Sequence, residues 1–224
     1  DDLLHDARAT FDPVTARAAE LLHRELDRFE SLLTELLEIS RFDAGAAELM
    51  IDEVDMVDLV TTEVRAQDAL ADSYRTTVVL DVPAQARIKA DPRRVRRIIS
   101  NLVSNAIEHG EGNDVVVTVR MGDDAVAVTV RDHGVGFSAV QAHQVFQRFW
   151  RADPSRQRTV GGSGLGLSIA LEDAQLHGGW LNAWGRVGRG AQFRLTLPLA
   201  PGEPLSGSPL SAVPKDVEGS WPRS

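Results

Sequence analysis

Between Val14 and Ser40 apolar residues recur alternately four and three apart, at Leu22, Leu26, Phe29, Leu33 and Leu36. Val14, Ala18, Leu32, Leu37 and Ile39 widen this stripe, and Glu25, Asp27, Arg28, Glu30 and Glu35 fill the other face. The period predicts a long amphipathic helix, about four heptads of a bundle or coiled-coil seam. A surface helix on a globular core is the alternative. Asp12-Pro13 supplies an N-cap and a first-turn proline, and Gly45 a stop. Beyond it the period changes. Residues 48–56 alternate and 57–72 read as helix. Residues 76–82 are β-branched and close on Pro83, and 87–90 form a second short strand. Asp91-Pro92 caps a helix over 93–109. Residues 115–121 and 125–131 are apolar strands joined by a Gly122-Asp123-Asp124 hairpin. A helix over 165–176 precedes the last strands, 180–184 and 192–197.

Strands and helices gathered around one sheet predict an α+β fold, a two-layer sandwich over residues 46–199. A helical domain, residues 1–45, precedes it. Residues 200–224 hold five prolines among Gly and Ser, a composition that predicts a disordered tail. Residues 137–160 are irregular and polar, with one amphipathic piece at 145–151. A loop this long inside a compact domain is usually functional.

Composition narrows the chemistry. The 224 residues carry a net charge of -9, which argues against a nucleic-acid partner. Cysteine is absent, so disulfide scaffolds and thiolate chemistry are excluded. The lysines, Lys89 and Lys215, do not follow a glycine loop, which rules out a Walker P-loop. No apolar run is long enough to cross a membrane, and the chain does not open on Met. We read it as a piece of a longer protein.

Four stretches carry candidate chemistry. Gly161, Gly162, Gly164 and Gly166 crowd into six residues that run into a helix, where backbone N–H groups and the dipole favour phosphate. The spacing is not G-x-G-x-x-G, and no strand precedes it, so a dinucleotide-binding turn does not fit. On the helix 93–109, Asn101 and Asn105 share a face that His109 continues. Two amides on one stripe suggest oxygen ligation of a hard cation; a solvated polar face fits equally well. Asp132-His133-Gly134-Val135-Gly136 ends a strand in an acid and turns through two glycines. That carboxylate could accept from an adenine amino group, and the glycines would let base and sugar approach. In Val145-Phe146-Gln147-Arg148-Phe149-Trp150-Arg151 the aromatics could anchor a lid whose Arg148 or Arg151 reaches phosphate oxygens. A plain hydrophobic staple of the loop is the alternative.

In order and spacing, the Asn-x-x-x-Asn, Asp-x-Gly-x-Gly, aromatic-Arg and Gly-x-Gly-x-Gly-Leu stretches resemble the N, G1, F and G2 boxes of bacterial sensor histidine kinases. These belong with the gyrase, Hsp90-type and MutL-type ATPases. The resemblance covers residues 14–198, and Leu33 to Gly45 is similar to the end of the second dimerisation helix. Within the family, the helix 14–45, residues 149–155 and the tail look most like an actinobacterial osmosensing branch.

The resemblance implies ATP and Mg2+ as ligands, with Asn105 on the metal and Asn101 and His109 lining the phosphates. Asp132 would bind the adenine amino group, with Gly134 and Gly136 beside it. Gly162, Ser163, Gly164 and Gly166 would contact phosphates and hinge the lid, while Leu165 and Leu167 pack the helix below. Arg151 would be the lid arginine, and Asn101 and Arg151 the residues nearest the transfer. The γ-phosphoryl group would pass to a histidine, then to an aspartate on the receiver domain of a response regulator. A homodimer would form through the helical bundle, at the cytoplasmic face of the plasma membrane, with membrane attachment only through segments upstream.

The chain departs from the family pattern in two ways. Glu108 stands where a lysine is common, which puts ATP affinity in doubt. None of His5, His23, His109, His133, His143 and His177 lies in an H-E-x-x-T-P motif, so the acceptor is expected upstream. Asn101 occupies the place of the general-base glutamate of the related ATPases, so little ATP hydrolysis is expected. A nucleotide-regulated binding module without phosphotransfer is the alternative function, and a coiled-coil adaptor that has lost its ligand a third.

Overall fold

The computed structural model describes residues 13–151 and 163–217. They belong to two compact units, Asp1–Ala46 and Ala47–Ser224. Among the described residues, the first unit holds the helix α1 (Pro13–Asp43). It stops because Gly45 takes φ +64°, a left-handed conformation that costs glycine nothing. Ala46 N–H then reaches Arg41 O at 2.9 Å and Gly45 N–H reaches Phe42 O at 2.9 Å, which satisfies the last free carbonyls. Leu22, Leu26, Phe29, Leu33 and Leu36 are all exposed on this helix.

The second unit is a two-layer α/β sandwich. Its elements are β1 (Asp52–Asp55), α2 (Met56–Ala66), α3 (Asp68–Tyr74), β2 (Val78–Asp81), β3 (Arg87–Ala90) and α4 (Pro92–His109). They continue with β4 (Val115–Met121), β5 (Ala125–Arg131), α5 (Gly166–Leu176), β6 (Trp180–Gly185) and β7 (Ala191–Pro198). The main sheet has five strands in the order β2-β4-β5-β7-β6; β1 and β3 form a separate two-stranded ribbon. Only β2 against β4 is parallel; the other pairs are antiparallel. Among the described residues no helix is long and apolar enough to cross a membrane.

α4 begins where Asp91 accepts hydrogen bonds from Arg93 N at 3.0 Å and Arg94 N at 3.3 Å, with Pro92 in the first turn. Val95, Ile98, Ile99, Leu102, Val103, Ala106 and Ile107 form its buried face. They meet Val126, Val128 and Val130 of β5 and Val115, Val117 and Val119 of β4 in one core. Packing this stripe turns Asn101, Asn105 and His109 toward the other side.

β5 is buried along its whole length. An antiparallel sheet with helices on one face commonly leaves the other wet. Here residues 200–217, expected to be disordered, lie along that other face instead. Ser208, Leu210 and Ala212 hydrogen-bond in turn to Thr196, Arg194 and Gln192, and Pro214 is buried. Proline and serine disfavour a regular ladder, yet an extended segment tied by side chains needs none. Residues 218–224 lie outside the described part.

Candidate functional site

α4 supplies three polar positions on successive turns. Asn101 Nδ2 donates to the carbonyl of Gly166 at 3.1 Å, so it ties the middle of α4 to the first turn of α5. A Cβ at Gly166 would come within 2.7 Å of Asn101 Oδ1, so the glycine makes that approach possible. Asn105 is half-buried and its amide has no hydrogen-bond partner among the described residues. His109 is exposed at the end of the helix. Beside it, burial raises the pKa of Glu108 above its ordinary range, and the charge of His109 offsets this only in part.

The turn after β5 rests on the end of α4. Val135 N–H reaches His109 O at 3.3 Å. A Cβ on Gly134 would fall 1.8 Å from that same carbonyl, and one on Gly136 would fall 2.1 Å from Arg186 O. Both glycines are thus required by the packing of this chain's own backbone, where the sequence suggested room for a ligand. Asp132 is 3% exposed. Its Oδ1 accepts from Gly134 N at 3.0 Å and Ala191 N at 3.2 Å, while Oδ2 has no partner among the described residues. Burial raises its carboxyl pKa; the two backbone N–H groups pull it back.

The glycine run and the aromatic-Arg segment meet at the lid's base. Gly164 takes φ +73° and its carbonyl accepts from Phe149 N at 2.9 Å. Phe149 itself holds φ +62°, rare for a bulky residue. Ser163 Oγ accepts from Leu165 N at 3.1 Å, and Leu165 is fully buried beneath the start of α5. No side chain caps that helix, so its first-turn N–H groups keep their capacity to bind an anion. Gly166 and Leu167 stand in this turn, Leu167 packed against the core. Arg148 does not point a free cation at the site: it is paired with Glu172 of α5 at 2.8 Å. Arg151 is exposed and without a partner among the described residues. Gly162 lies outside the described part.

Two further groups hold this arrangement and were assigned no part in the site from sequence. His177 is buried between α5 and α4, its Nδ1 2.7 Å from Asp173 O and its Nε2 accepting from Asp91 N at 3.0 Å. Asp173 also takes Arg94 and Arg97, each at 2.8 Å. Burial lowers the pKa of His177, so the ring is held neutral. Arg131, immediately before Asp132, is 6% exposed and donates to the carbonyls of Asp132, Ala191 and Arg189. An arginine on an otherwise apolar strand was the available signal.

This geometry, a sheet with an acid at the end of β5, an amide-bearing α4 and an uncapped α5, defines a class. Residues 90–201 match the family of histidine kinase-, DNA gyrase B- and HSP90-like ATPases, and the chain belongs to it. Within that class, it is 50% identical over 214 residues to the sensor histidine kinase MtrB of Mycolicibacterium paratuberculosis, a match covering 95% of this chain and 38% of that protein. It is 40% identical over 195 residues to the histidine-protein kinase AfsQ2 of Streptomyces coelicolor, covering 87% of this chain and 35% of the relative. The chain therefore spans well under half the length of these relatives. Among solved structures, full-length ShkA in complex with AMPPNP matches with TM-score 0.74 and 27% identity over 85% of this chain and 40% of that one. The Acinetobacter baumannii histidine kinase AdeS matches with TM-score 0.70 and 16% identity, over 84% of this chain and 86% of its own, a likeness of fold alone.

Proposed function

We propose that this chain is the ATP-binding, phosphoryl-donating portion of a sensor histidine kinase. The observation that carries the reading is Asp132. One carboxylate oxygen is fixed by two backbone N–H groups, and the other is left to accept, in a buried place where an adenine amino group would be its partner. Beyond it, the unpartnered amide of Asn105 and the uncapped first turn of α5 suit phosphates and their cation. ShkA, whose fold this chain shares, is the relative described with AMPPNP.

Among the described residues there is no cluster of three His, Cys, Asp or Glu side chains that could cage a metal. A single amide oxygen fits Mg2+ all the same, since that ion keeps waters and phosphate oxygens as its remaining ligands. Asn105 would hold it, and its chemistry there is charge neutralisation on the phosphates. The protein's own part is positioning. Asp132 fixes the base. Asn101, bonded to Gly166, fixes the α5 turn that faces the phosphates. Arg151 supplies lid charge. Asn101 is an amide and takes no proton from water, which favours transfer to a side chain over hydrolysis. The γ-phosphoryl group passes to a histidine upstream of this chain and from it to an aspartate on a response regulator, with α1 pairing across a homodimer at the cytoplasmic face of the membrane.

Calorimetric titration with ADP and Mg2+ tests the site, on this chain and on Asn105→Ala. Saturable binding that the variant loses supports it; no binding by the parent chain removes the reading. Incubation with labelled ATP and a histidine-bearing acceptor helix then tests transfer. Binding without transfer would favour the second reading, a nucleotide-regulated module, to which the half-buried Glu108 carboxyl at the end of α4 lends support.

A further inference from the structure

The segment after β7 runs back along the outer face of the sheet, fastened at both ends. At the hairpin end, the Asp124 carboxylate accepts from Ser206 N at 2.7 Å and from Ser206 Oγ. In the middle, Thr196 meets Ser208 at 2.9 Å, Arg194 donates to Leu210 O at 2.7 Å and Gln192 to Ala212 O at 3.0 Å. These three residues of β7 are two apart and share one face of the sheet. Their partners on β5, Ala127, Thr129 and Arg131, are directly opposite. The small side chains at Ala125 and Ala127 leave the segment room to lie close. At the far end Asp216 takes Arg131 Nη2 at 2.9 Å.

That last contact lands behind the acid of the nucleotide site. Arg131 stacks over the Trp184 ring at 5.2 Å and donates to the carbonyls of Arg189, at 2.8 Å, and of Asp132 itself. Asp216 is its only carboxylate partner among the described residues. Burying a guanidinium is costly unless a counter-charge sits against it. The segment brings one in on Asp216, whose own side chain is 47% exposed. His133 Nε2 lies 3.7 Å from the same carboxylate.

We propose that residues 203–217 form a clasp belonging to the nucleotide site, in which Asp216 holds Arg131 as a positioning residue for the base-recognising Asp132. The clasp sets the strand end from which Asp132 projects, and no residue of the clasp touches nucleotide. The inference rests on the reading of Asp132 as the adenine partner.

The test is titration of the full chain with ADP and with IDP, which carries an oxo group in place of the adenine amino group. The variants are Asp216→Asn, Asp216→Glu, Asp124→Asn and Asp132→Asn, each with its melting temperature. Loss of the charged contact in Asp216→Asn is expected to weaken ADP about fivefold. IDP affinity should stay unchanged, and Asp216→Glu should restore most of the ADP affinity. Asp124→Asn frees the other end of the segment and should leave the ADP-to-IDP ratio as it was. Unchanged ADP affinity in Asp216→Asn, with Asp132→Asn impaired, overturns the clasp and leaves the base reading standing. Equal weakening of ADP and IDP that tracks a lowered melting temperature also overturns it, because a merely structural strap would do that. Unchanged ADP affinity in Asp132→Asn overturns the base reading and the clasp together.

Discussion

At the scale of single residues, burial decides which charged groups matter. Glu108 sits at the end of α4 with its pKa raised by burial; burial first, and then the Glu108 charge, raise the pKa of the Tyr74 phenol. A carboxyl whose folded pKa lies above the ordinary 4.5 binds protons more tightly when folded. Its contribution is therefore fully present below that value and is lost as pH rises through the folded pKa. Glu108→Gln removes the penalty. Without nucleotide, its melting temperature should exceed the parent's at neutral pH, and the gap should close as pH is lowered toward 4.5; a gap independent of pH would show that the carboxyl is not the cause. The places of Asn105 on α4 and of Asp132 at the end of β5 were legible in the sequence, because amides in mid-helix and an acid at a strand end are conspicuous. What Gly134 and Gly136 do was not. Their Cβ atoms would strike the carbonyls of His109 and Arg186, and no local pattern says which distant backbone will close on a glycine.

At the scale of elements, α4 and α5 are joined twice, and the joints do different things. Near the site, Asn101 meets Gly166; near the other end, His177 accepts from Asp91 N and donates to Asp173 O. His177 faces Asp173 and Asp91 as well as Arg94, yet burial outweighs them and keeps it neutral. With a folded pKa below the ordinary 6.5, its stabilising effect is whole above that pH and is lost as pH falls through the range below it. His177→Gln keeps an acceptor and removes the titration, so the fall in melting temperature between about pH 7 and pH 5 should be shallower than in the parent. His177→Ala leaves the Asp91 N–H without an acceptor, at a cost of about 1–3 kcal/mol seen in urea unfolding. The lid base gives the opposite expectation. Gly164 holds φ +73°, and a Cβ there would lie 3.0 Å from Phe149 Cα. Gly164→Ala should therefore weaken ADP binding by calorimetry while the urea midpoint moves little, because the strain falls on the lid stem and not on the core. Unchanged affinity would detach the glycine run from the site. The apolar strands and α4 could be read from their periods; the polar joints between elements could not, because Asp91, Asp173 and His177 are far apart in the chain.

At the scale of the whole chain, the two units bury their apolar residues differently. The sandwich closes its core within itself, and its outer face is covered by a segment whose proline and serine content suggested disorder. Composition reports what a segment cannot do alone; it carries no record of the polar row on β7 that receives it. α1 is the reverse case: its heptad pattern was plain in the sequence, and in the structure the leucines stay exposed. An exposed apolar stripe of that length marks an interaction face. The proposed occupant is a second copy of the same helix, since the seam residues repeat every seven positions on a face flanked by charge. Leu26 and Leu33 are one heptad apart and both exposed. Each seam leucine is worth about 2–5 kcal/mol once buried, so replacing both with Glu should weaken association by roughly a thousandfold or more. Because α1 is a unit of its own, the melting temperature of the sandwich and its affinity for ADP should not change. Sedimentation velocity over a concentration series reads the first expectation, and calorimetry the second. A double variant that sediments as the parent does, at every concentration where the parent is dimeric, would move the dimer interface off this helix.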